Sequence, residues 1–205
     1  HEIRTPMNGI LGMVDLMKRS PLSEDQKEMV ATIQDSGKAL LSLINDILDI
    51  SKIEAGRIEL ESLPSDLAEV SESALEVISA NAAKHQQSLI LIQDPALPSN
   101  LLLDGLRLRQ ILVNLVGNAI KFSPLAAEIV VRIEKLERQV GDYCDVLIRI
   151  IDQGIGLSAD AQANIFAVFA PAVKSTSRIY GGTGLGLAIC RRPVAGMQGR
   201  IEVIS

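Results

Sequence analysis

In the first fifty residues apolar side chains recur at alternating steps of four and three, and no other feature constrains the fold as much. Ile3, Met7, Ile10, Val14 and Met17 make one seam; Met29, Ile33, Ser36, Leu40, Leu43, Ile47 and Ile50 make a second. That spacing places each set on one stripe of a helix, in the manner of coiled-coil heptads. "SPLSEDQ" interrupts the pattern, with Ser23 a candidate N-cap and Gln26 three residues on, the spacing of a capping box. Glu24, Asp25 and Glu28 then suit the dipole at the start of the second helix. Leu41, Ile44 and Leu48 widen the second stripe beyond what one partner helix covers. Two such helices and a short turn make an antiparallel hairpin, whose surplus apolar face asks for a second copy, giving a dimeric four-helix bundle.

Near residue 60 the period changes. Ile58 and Leu60 read as a short strand, and "SLPSD" as a linker ending in an Asp or Ser N-cap. A helix is predicted over about 66–84, a strand over "SLILIQ", and a helix from Asp104 to Lys121. "EIVVRIEKLE" and "CDVLIRIID" read as strands joined by the turn "QVGDY". A glycine-rich tract, a helix from Leu185 and a closing strand "RIEVIS" complete the series. Long strands joined by a short turn imply an antiparallel or mixed sheet with helices on one face, an α+β sandwich. No G-x-G-x-x-G follows the first strand, so a Rossmann fold is not indicated. The expected division is 1–62 hairpin, 63–66 linker and 67–205 sandwich.

Composition narrows the function. A chain of 205 residues with 47% hydrophobic content can bury a core, and a net charge of −5 argues against nucleic acid as the main partner. No apolar run reaches the roughly 18 residues of a membrane helix, and the charged first residues do not read as a signal peptide. Cys144 and Cys190 are too few for a disulfide framework, which fits a reducing interior; with only two histidines, neither near a cysteine in sequence, zinc is not indicated. His85, among polar residues in "AAKHQQS", reads as an exposed residue at a helix end.

Three clusters carry chemistry. In "NLVGNAIKF", Asn114, Asn118 and Lys121 share one helix face. Amide oxygens suit Mg²⁺ and a lysine suits phosphate, although a pair of core-edge amides is the commoner meaning of such a helix. In "DQGIG", Asp152 ends an apolar strand, where a carboxylate can accept from the amine of adenine while Gly154 and Gly156 permit close approach and a sharp turn. An ordinary strand-to-loop turn has the same letters. "YGGTGLGL" precedes a helix, so its unobstructed amides and the helix start could receive phosphate, or the glycines could form a hinge. Either glycine pattern arises by chance in roughly one such chain in ten to twenty, N-x-x-x-N-A-x-K far more rarely. All three in order after a heptad hairpin are not a coincidence.

With these residues the chain resembles the sensor histidine kinases of two-component signalling over essentially its whole length. "HEIRTP" looks like their H box, "NLVGNAIKF" the N box, "DQGIG" and "GGTGLGL" the two glycine boxes, and "IFAVF" the phenylalanine box. The wording is similar to hybrid kinases, which carry a receiver domain; no receiver sequence lies in these residues. The resemblance implies a hairpin followed by an α+β sandwich of the GHKL ATPase type. It implies His1 as phosphoacceptor, Glu2 as its hydrogen-bond partner or base, and Thr5 as the residue that orients a hydrolytic water in kinases that are also phosphatases. Pro6 matches the proline that bends the first helix. The implied cofactors are ATP and Mg²⁺. Asn118 would hold the metal with Asn114 nearby; Lys121 and Arg178 would meet phosphate and Asp152 adenine. Phe122, Gly154, Gly156, Tyr180, Gly182, Thr183, Gly184, Leu185, Gly186 and Leu187 would complete the nucleotide site, with about 167–182 as its lid. Implied partners are a response-regulator receiver domain and a second copy of the chain, in the cytoplasm, with membrane attachment only through segments outside these residues.

Some positions depart from the family pattern. Pro171 and Val173 replace a glutamine and an aspartate in the lid, Leu106 a small polar residue, and Gln198 one of a glycine pair. Pro193 stands where the last helix has a leucine, an interior proline expected to cost ~3 kcal/mol or a kink, and Gly196 adds to that. Reduced stability or altered lid motion is expected rather than lost binding. Because His1 opens the sequence, without the family's preceding helical turn, ATP binding is expected to survive better than autophosphorylation. Two alternatives share the nucleotide boxes: a pseudokinase or dimerisation scaffold, and an ATPase of the chaperone, gyrase or mismatch-repair class. The last predicts no histidine hairpin.

Overall fold

A computed structural model describes residues 3–54, 60–140, 143–166 and 186–205. The chain divides into two compact units, His1–Arg57 and Ile58–Ser205.

The first unit is a helical hairpin of α1 (Arg4–Met17) and α2 (Glu24–Glu54). The capping box forms in both directions: the Ser23 amide donates to Gln26 Oε1 at 3.0 Å, and the Gln26 amide to Ser23 Oγ at 3.3 Å. Pro6 falls in the first turn of α1, where amides lack helical partners in any case. The two helices meet along Met7, Leu11 and Val14 on one side and Val30, Gln34, Gly37, Leu41 and Ile44 on the other. Approach is close at Gly37, where an added Cβ would lie 2.8 Å from Leu11 Cδ2. Gln34 joins the helices by donating to Asp15 Oδ1 at 2.6 Å and accepting from Lys18 Nζ.

This contact takes up only part of the seam read from the sequence, Met7 and Val14 of α1. Ile3, Ile10 and Met17 of α1 and Met29, Ile33, Leu40 and Ile47 of α2 are exposed, Met29 to 63%. The widening residues Leu41 and Ile44 take the inner positions instead. A stripe too wide for one partner must leave part of itself outside, and the small Gly37 decides which part goes in.

In the second unit the order is β1 (Leu63–Ser65), α3 (Leu67–Lys84), β2 (Ser88–Gln93), β3 (Leu101–Leu103), α4 (Gly105–Phe122), β4 (Glu128–Val140), β5 (Tyr143–Ile151), α5 (Ala159–Asn164) and α6 (Gly186–Gly196). The sheet is mixed, in order β2-β4-β5, with β2 parallel and β5 antiparallel to β4. β1 and β3 pair separately and antiparallel. Alternation on β4 sends Ile129, Val131 and Ile133 into the core against Ile78 and Ala82 of α3 and Val116, Ala119 and Ile120 of α4. Each fully buried aliphatic side chain of this kind contributes about 1.5–3 kcal/mol.

The helix starts follow from their capping carboxylates. Asp66 accepts from the Ala68 amide at 2.7 Å. Asp104, only 7% exposed, accepts from the Arg107 amide at 2.9 Å and with its other oxygen from the Glu61 amide at 3.1 Å. The end of α4 is capped from a distance. Gln87 is buried and its Nε2 donates to the carbonyls of Ile120, Ser123 and Pro124 at 3.0, 3.2 and 2.9 Å.

Several local expectations change. The short strand lies at Leu63–Ser65, not at Leu60, and Ile58 is outside the described residues. "RIEVIS" joins no strand; Ser205 Oγ accepts from the Leu157 amide at 2.7 Å, so local polar contacts hold the chain end beside α5. Pro193 does not end α6, which continues to Gly196 around a buried proline ring. Burial of the ring offsets part of the missing bond to the Ile189 carbonyl.

α6 ends in a Schellman motif: the Gly199 amide reaches the Val194 carbonyl at 2.8 Å and Gln198 that of Ala195 at 3.0 Å. Gln198 pays for this with φ +61°, a left-handed conformation costing a non-glycine residue roughly 1–2 kcal/mol. Gln198→Gly is therefore expected to stabilise the protein by ~1 kcal/mol and raise the melting temperature about 2–4 °C in calorimetry. Gln87→Leu, which leaves three carbonyls without their donor, is expected to destabilise by about 2 kcal/mol in denaturant titration.

Candidate functional site

Helix α4 is the backbone of the site. Its buried residues Ile111, Leu112, Val116, Ala119 and Ile120 fix its rotation against the sheet, and that rotation leaves Asn114, Asn118 and Lys121 half-buried on one face. The four- and three-residue steps between them therefore do what the spacing predicts. Lys121 Nζ lies 4.8 Å from the centre of the Phe122 ring, and burial lowers its pKa from the ordinary 10.5. An ammonium with part of its hydration removed gains more from an incoming anion than one in open water.

The loop after β5 rests on the end of this helix. At Gly154 an added Cβ would lie 2.6 Å from Asp152 Oδ1 and 3.0 Å from the Phe122 carbonyl oxygen, so a side chain there would force the loop to shift. Asp152 accepts from the Gly154 amide at 2.8 Å, which commits Oδ1 to its own loop. Gln153 Oε1 accepts from the Glu128 amide at 3.3 Å and ties the loop to the start of β4. Gly156 has φ +69° and supplies the sharp turn.

The start of α6 approaches from the other side. A Cβ on Gly186 would sit 3.9 Å from the Asn114 amide, and Asn114 Nδ2 donates to the buried Cys190 Sγ at 3.9 Å. Cys190 Sγ in turn donates to the Gly186 carbonyl at 3.2 Å. The first turn of α6 is thus held against Asn114 by one thiol.

The structure therefore joins Asn114 to Gly186 at the start of α6, and Phe122, beside Lys121, to Gly154 and Asp152 of the loop; Asn118 lies on the same helix face, Gly156 two residues along the loop from Gly154, and Leu187 next to Gly186 on α6. Thr5 is an exposed residue of α1 in the other unit. His1, Glu2, Arg178, Tyr180, Gly182, Thr183, Gly184 and Leu185 lie outside the described residues, as do Pro171 and Val173. Sequence reasoning missed Cys190 and Gln87. For Cys190 the available signal was its four-residue step from Gly186; for Gln87 it was a second polar residue between a helix end and an apolar strand. Among the described residues, no three His, Cys, Asp or Glu side chains converge on a metal-binding point, and no helix is long and apolar enough to cross a membrane.

Residues 103–205 match the histidine kinase-, DNA gyrase B- and HSP90-like ATPase family, and residues 1–56 match the His Kinase A (phospho-acceptor) domain. The sensor histidine kinase GacS of Pseudomonas protegens is 44% identical over the whole chain, which spans 22% of that protein. Hybrid signal transduction histidine kinase A of Dictyostelium discoideum is 38% identical, and the chain spans 10% of it. Among solved structures, full-length ShkA in complex with AMPPNP superposes on all of the chain with a TM-score of 0.79 at 36% identity; the chain spans 41% of ShkA. An ATPase domain of this kind behind a phospho-acceptor hairpin makes the chain a member of the sensor histidine kinase family.

Proposed function

We propose that this chain is the catalytic core of an ATP-dependent protein-histidine kinase, with His1 as the residue phosphorylated. The observation that carries the reading is the convergence of the α4 amides, the Asp152–Gly156 loop and the start of α6 in a chain that also matches a phospho-acceptor domain. One ring nitrogen of His1 attacks the γ-phosphorus of ATP. A nitrogen–phosphorus bond forms, the bond from that phosphorus to the β,γ-bridging oxygen breaks, and ADP leaves with the electron pair. Glu2 accepts the proton lost from the imidazole. The phosphoryl group then passes to an aspartate of a response-regulator receiver domain, which docks on the hairpin near His1. Thr5, four residues along, orients a water that attacks the phosphorus of the receiver's aspartyl phosphate, which frees the aspartate and releases inorganic phosphate.

Within the second unit, Asp152 holds adenine through the oxygen its own loop does not use. Lys121 and Arg178 neutralise phosphate charge, and Phe122 and Tyr180 flank the nucleotide. The glycine tract Gly182–Gly186, with Thr183, Leu185 and Leu187, presents amides at the start of α6. The donor set fits Mg²⁺: amide oxygens of Asn118 and Asn114 beside a triphosphate offer the few hard ligands this ion takes while keeping several waters. Asn118, with Asn114 nearby, would hold the ion, which would supply charge neutralisation for the transferring phosphate. The exposed line Ile10–Met17 with Met29–Ile47 supports a homodimer through the hairpin, and the absence of an apolar span in the described helices is consistent with a cytoplasmic location.

With Mg²⁺ and γ-labelled ATP, the protein is expected to take up acid-labile, base-stable label that His1→Ala abolishes. Label-free protein that still binds nucleotide would mark a pseudokinase, and released phosphate without labelled protein an ATPase. Asn118→Ala is expected to weaken Mg²⁺-dependent nucleotide binding at least tenfold, about 1.4 kcal/mol, while leaving the thermal melt within a few degrees of the parent. Titration calorimetry with and without Mg²⁺ separates the two effects.

A further inference from the structure

Strand β2 lies at the edge of the sheet, paired only with β4 among the described residues. The Ser88 amide reaches the Ala127 carbonyl at 3.0 Å and the Asp94 amide the Ile133 carbonyl at 2.9 Å. In a parallel pair those bonds alternate along the strand, so the amides and carbonyls of Leu89, Leu91 and Gln93 point away from β4. Lysines, prolines and bulges commonly blunt such an edge, and Ser88–Gln93, "SLILIQ", has none of them.

Beside this edge runs a groove of about 580 Å³ between α3 and β2, lined by Glu72, Leu75, Glu76, Leu89, Leu91 and Gln93. Its floor is apolar. Glu72 and Glu76 are exposed on its rim, and neither forms a salt bridge among the described residues. Gln93 Nε2 is buried there without a hydrogen-bond partner. A buried amide left unsatisfied is costly, and an acceptor that reached it from the groove would recover that cost. α3 and β2 are consecutive and antiparallel in direction, so Glu72 lies toward the Gln93 end of the strand and Ser79 toward the Ser88 end.

We propose that this edge is a docking site for an extended segment of a partner protein, which adds to the sheet beside β2. Backbone pairing with Leu89, Leu91 and Gln93 supplies affinity, and side chains at alternate positions enter the groove. The groove dictates their chemistry: two aliphatic residues over Leu75, Leu89 and Leu91, then a lysine or arginine between Glu72 and Glu76, with a carbonyl near Gln93 Nε2. The surface lies on the α3–β2 side of the unit, whereas the nucleotide residues gather at the α4–α6 side, so the inference stands whether or not the kinase reading does.

The test uses the whole chain, ¹⁵N-labelled, and the peptide acetyl-Thr-Val-Thr-Leu-Thr-Lys-Thr-amide. Saturable amide shifts confined to β2 and α3, together with slowed hydrogen exchange at Leu89, Leu91 and Gln93, are expected. The double variant Glu72→Lys, Glu76→Lys should bind at least tenfold more weakly, as should a peptide with Glu in place of Lys. A peptide N-methylated on the amides that face β2 should not bind. Shifts elsewhere, no shifts at millimolar peptide, or equal binding of the N-methylated peptide would each overturn the proposal. Equal binding by the charge-reversed protein would overturn the basic specificity on which it rests.

Discussion

Everything the second unit does depends on α4 being tied at both ends to other parts of the chain by buried polar side chains. At its start, Asp104 divides its two oxygens between the Arg107 amide and the Glu61 amide, so one carboxylate caps the helix and fastens the entry to the unit. At its end, Gln87 spends one amide group on three carbonyls. A helix of 18 residues is marginal alone, and its register against a sheet is set by its apolar face only to within sliding motions. Polar clamps at the two ends remove that freedom. The rotation of Asn114, Asn118 and Lys121 then follows from the burial of Val116, Ala119 and Ile120 on the opposite side.

The hairpin obeys a different constraint. Among the described residues its two helices bury a thin line, with Val14 and Val30 the well-covered aliphatic side chains. Ile10, Met13, Leu16 and Ile33 remain in water, more apolar surface than an isolated pair of helices can carry without association. The same feature links structure to function. Under the proposed reading a phosphoacceptor must stand on an accessible surface, and a bundle whose stability resides in its axis would leave its flanks available.

How much could be read from the sequence differed by physical cause. The capping box at Ser23 and Gln26, the Asp66 and Asp104 caps and the alternation of Ile129, Val131 and Ile133 depend on neighbours a few residues apart, and the letters suffice. The hairpin seam was read only in part, with Met7 and Val14 inside and Ile3, Ile10 and Met17 out, because periodicity defines a stripe but not which half of a wide one turns inward. That choice was made by Gly37, whose missing side chain lets Leu11 close in. "RIEVIS" has strand composition, but pairing also requires a free edge at the right place, and the Ser205 contacts with Leu157 and Gln162 put the chain end elsewhere. In the candidate site, the glycine and amide motifs were legible, yet the link that positions Asn114 against α6 was not. It passes through Cys190, a residue no nucleotide motif requires.

The departures from family pattern acquire a common meaning in the structure. Pro193, Gln198 and Leu106 all lie at places where a local rule is broken without touching the nucleotide face: an interior helical proline, a left-handed glutamine, and a leucine 71% exposed in the first turn of α4. Gln86 and Ala126 add two more left-handed residues, one at the end of α3 and one just before β4. Such residues cost of order 1–3 kcal/mol each and persist only where the surroundings over-determine them. Against a net stability of roughly 5–15 kcal/mol, three left-handed residues are a considerable load. The load falls on helix ends and turns, whereas Gly154 and Gly156, where the loop after β5 has a close approach and a positive φ, are glycine. Relaxation of the peripheral rules with retention of those at the site is the pattern expected when binding geometry, rather than maximal stability, sets what the sequence must keep.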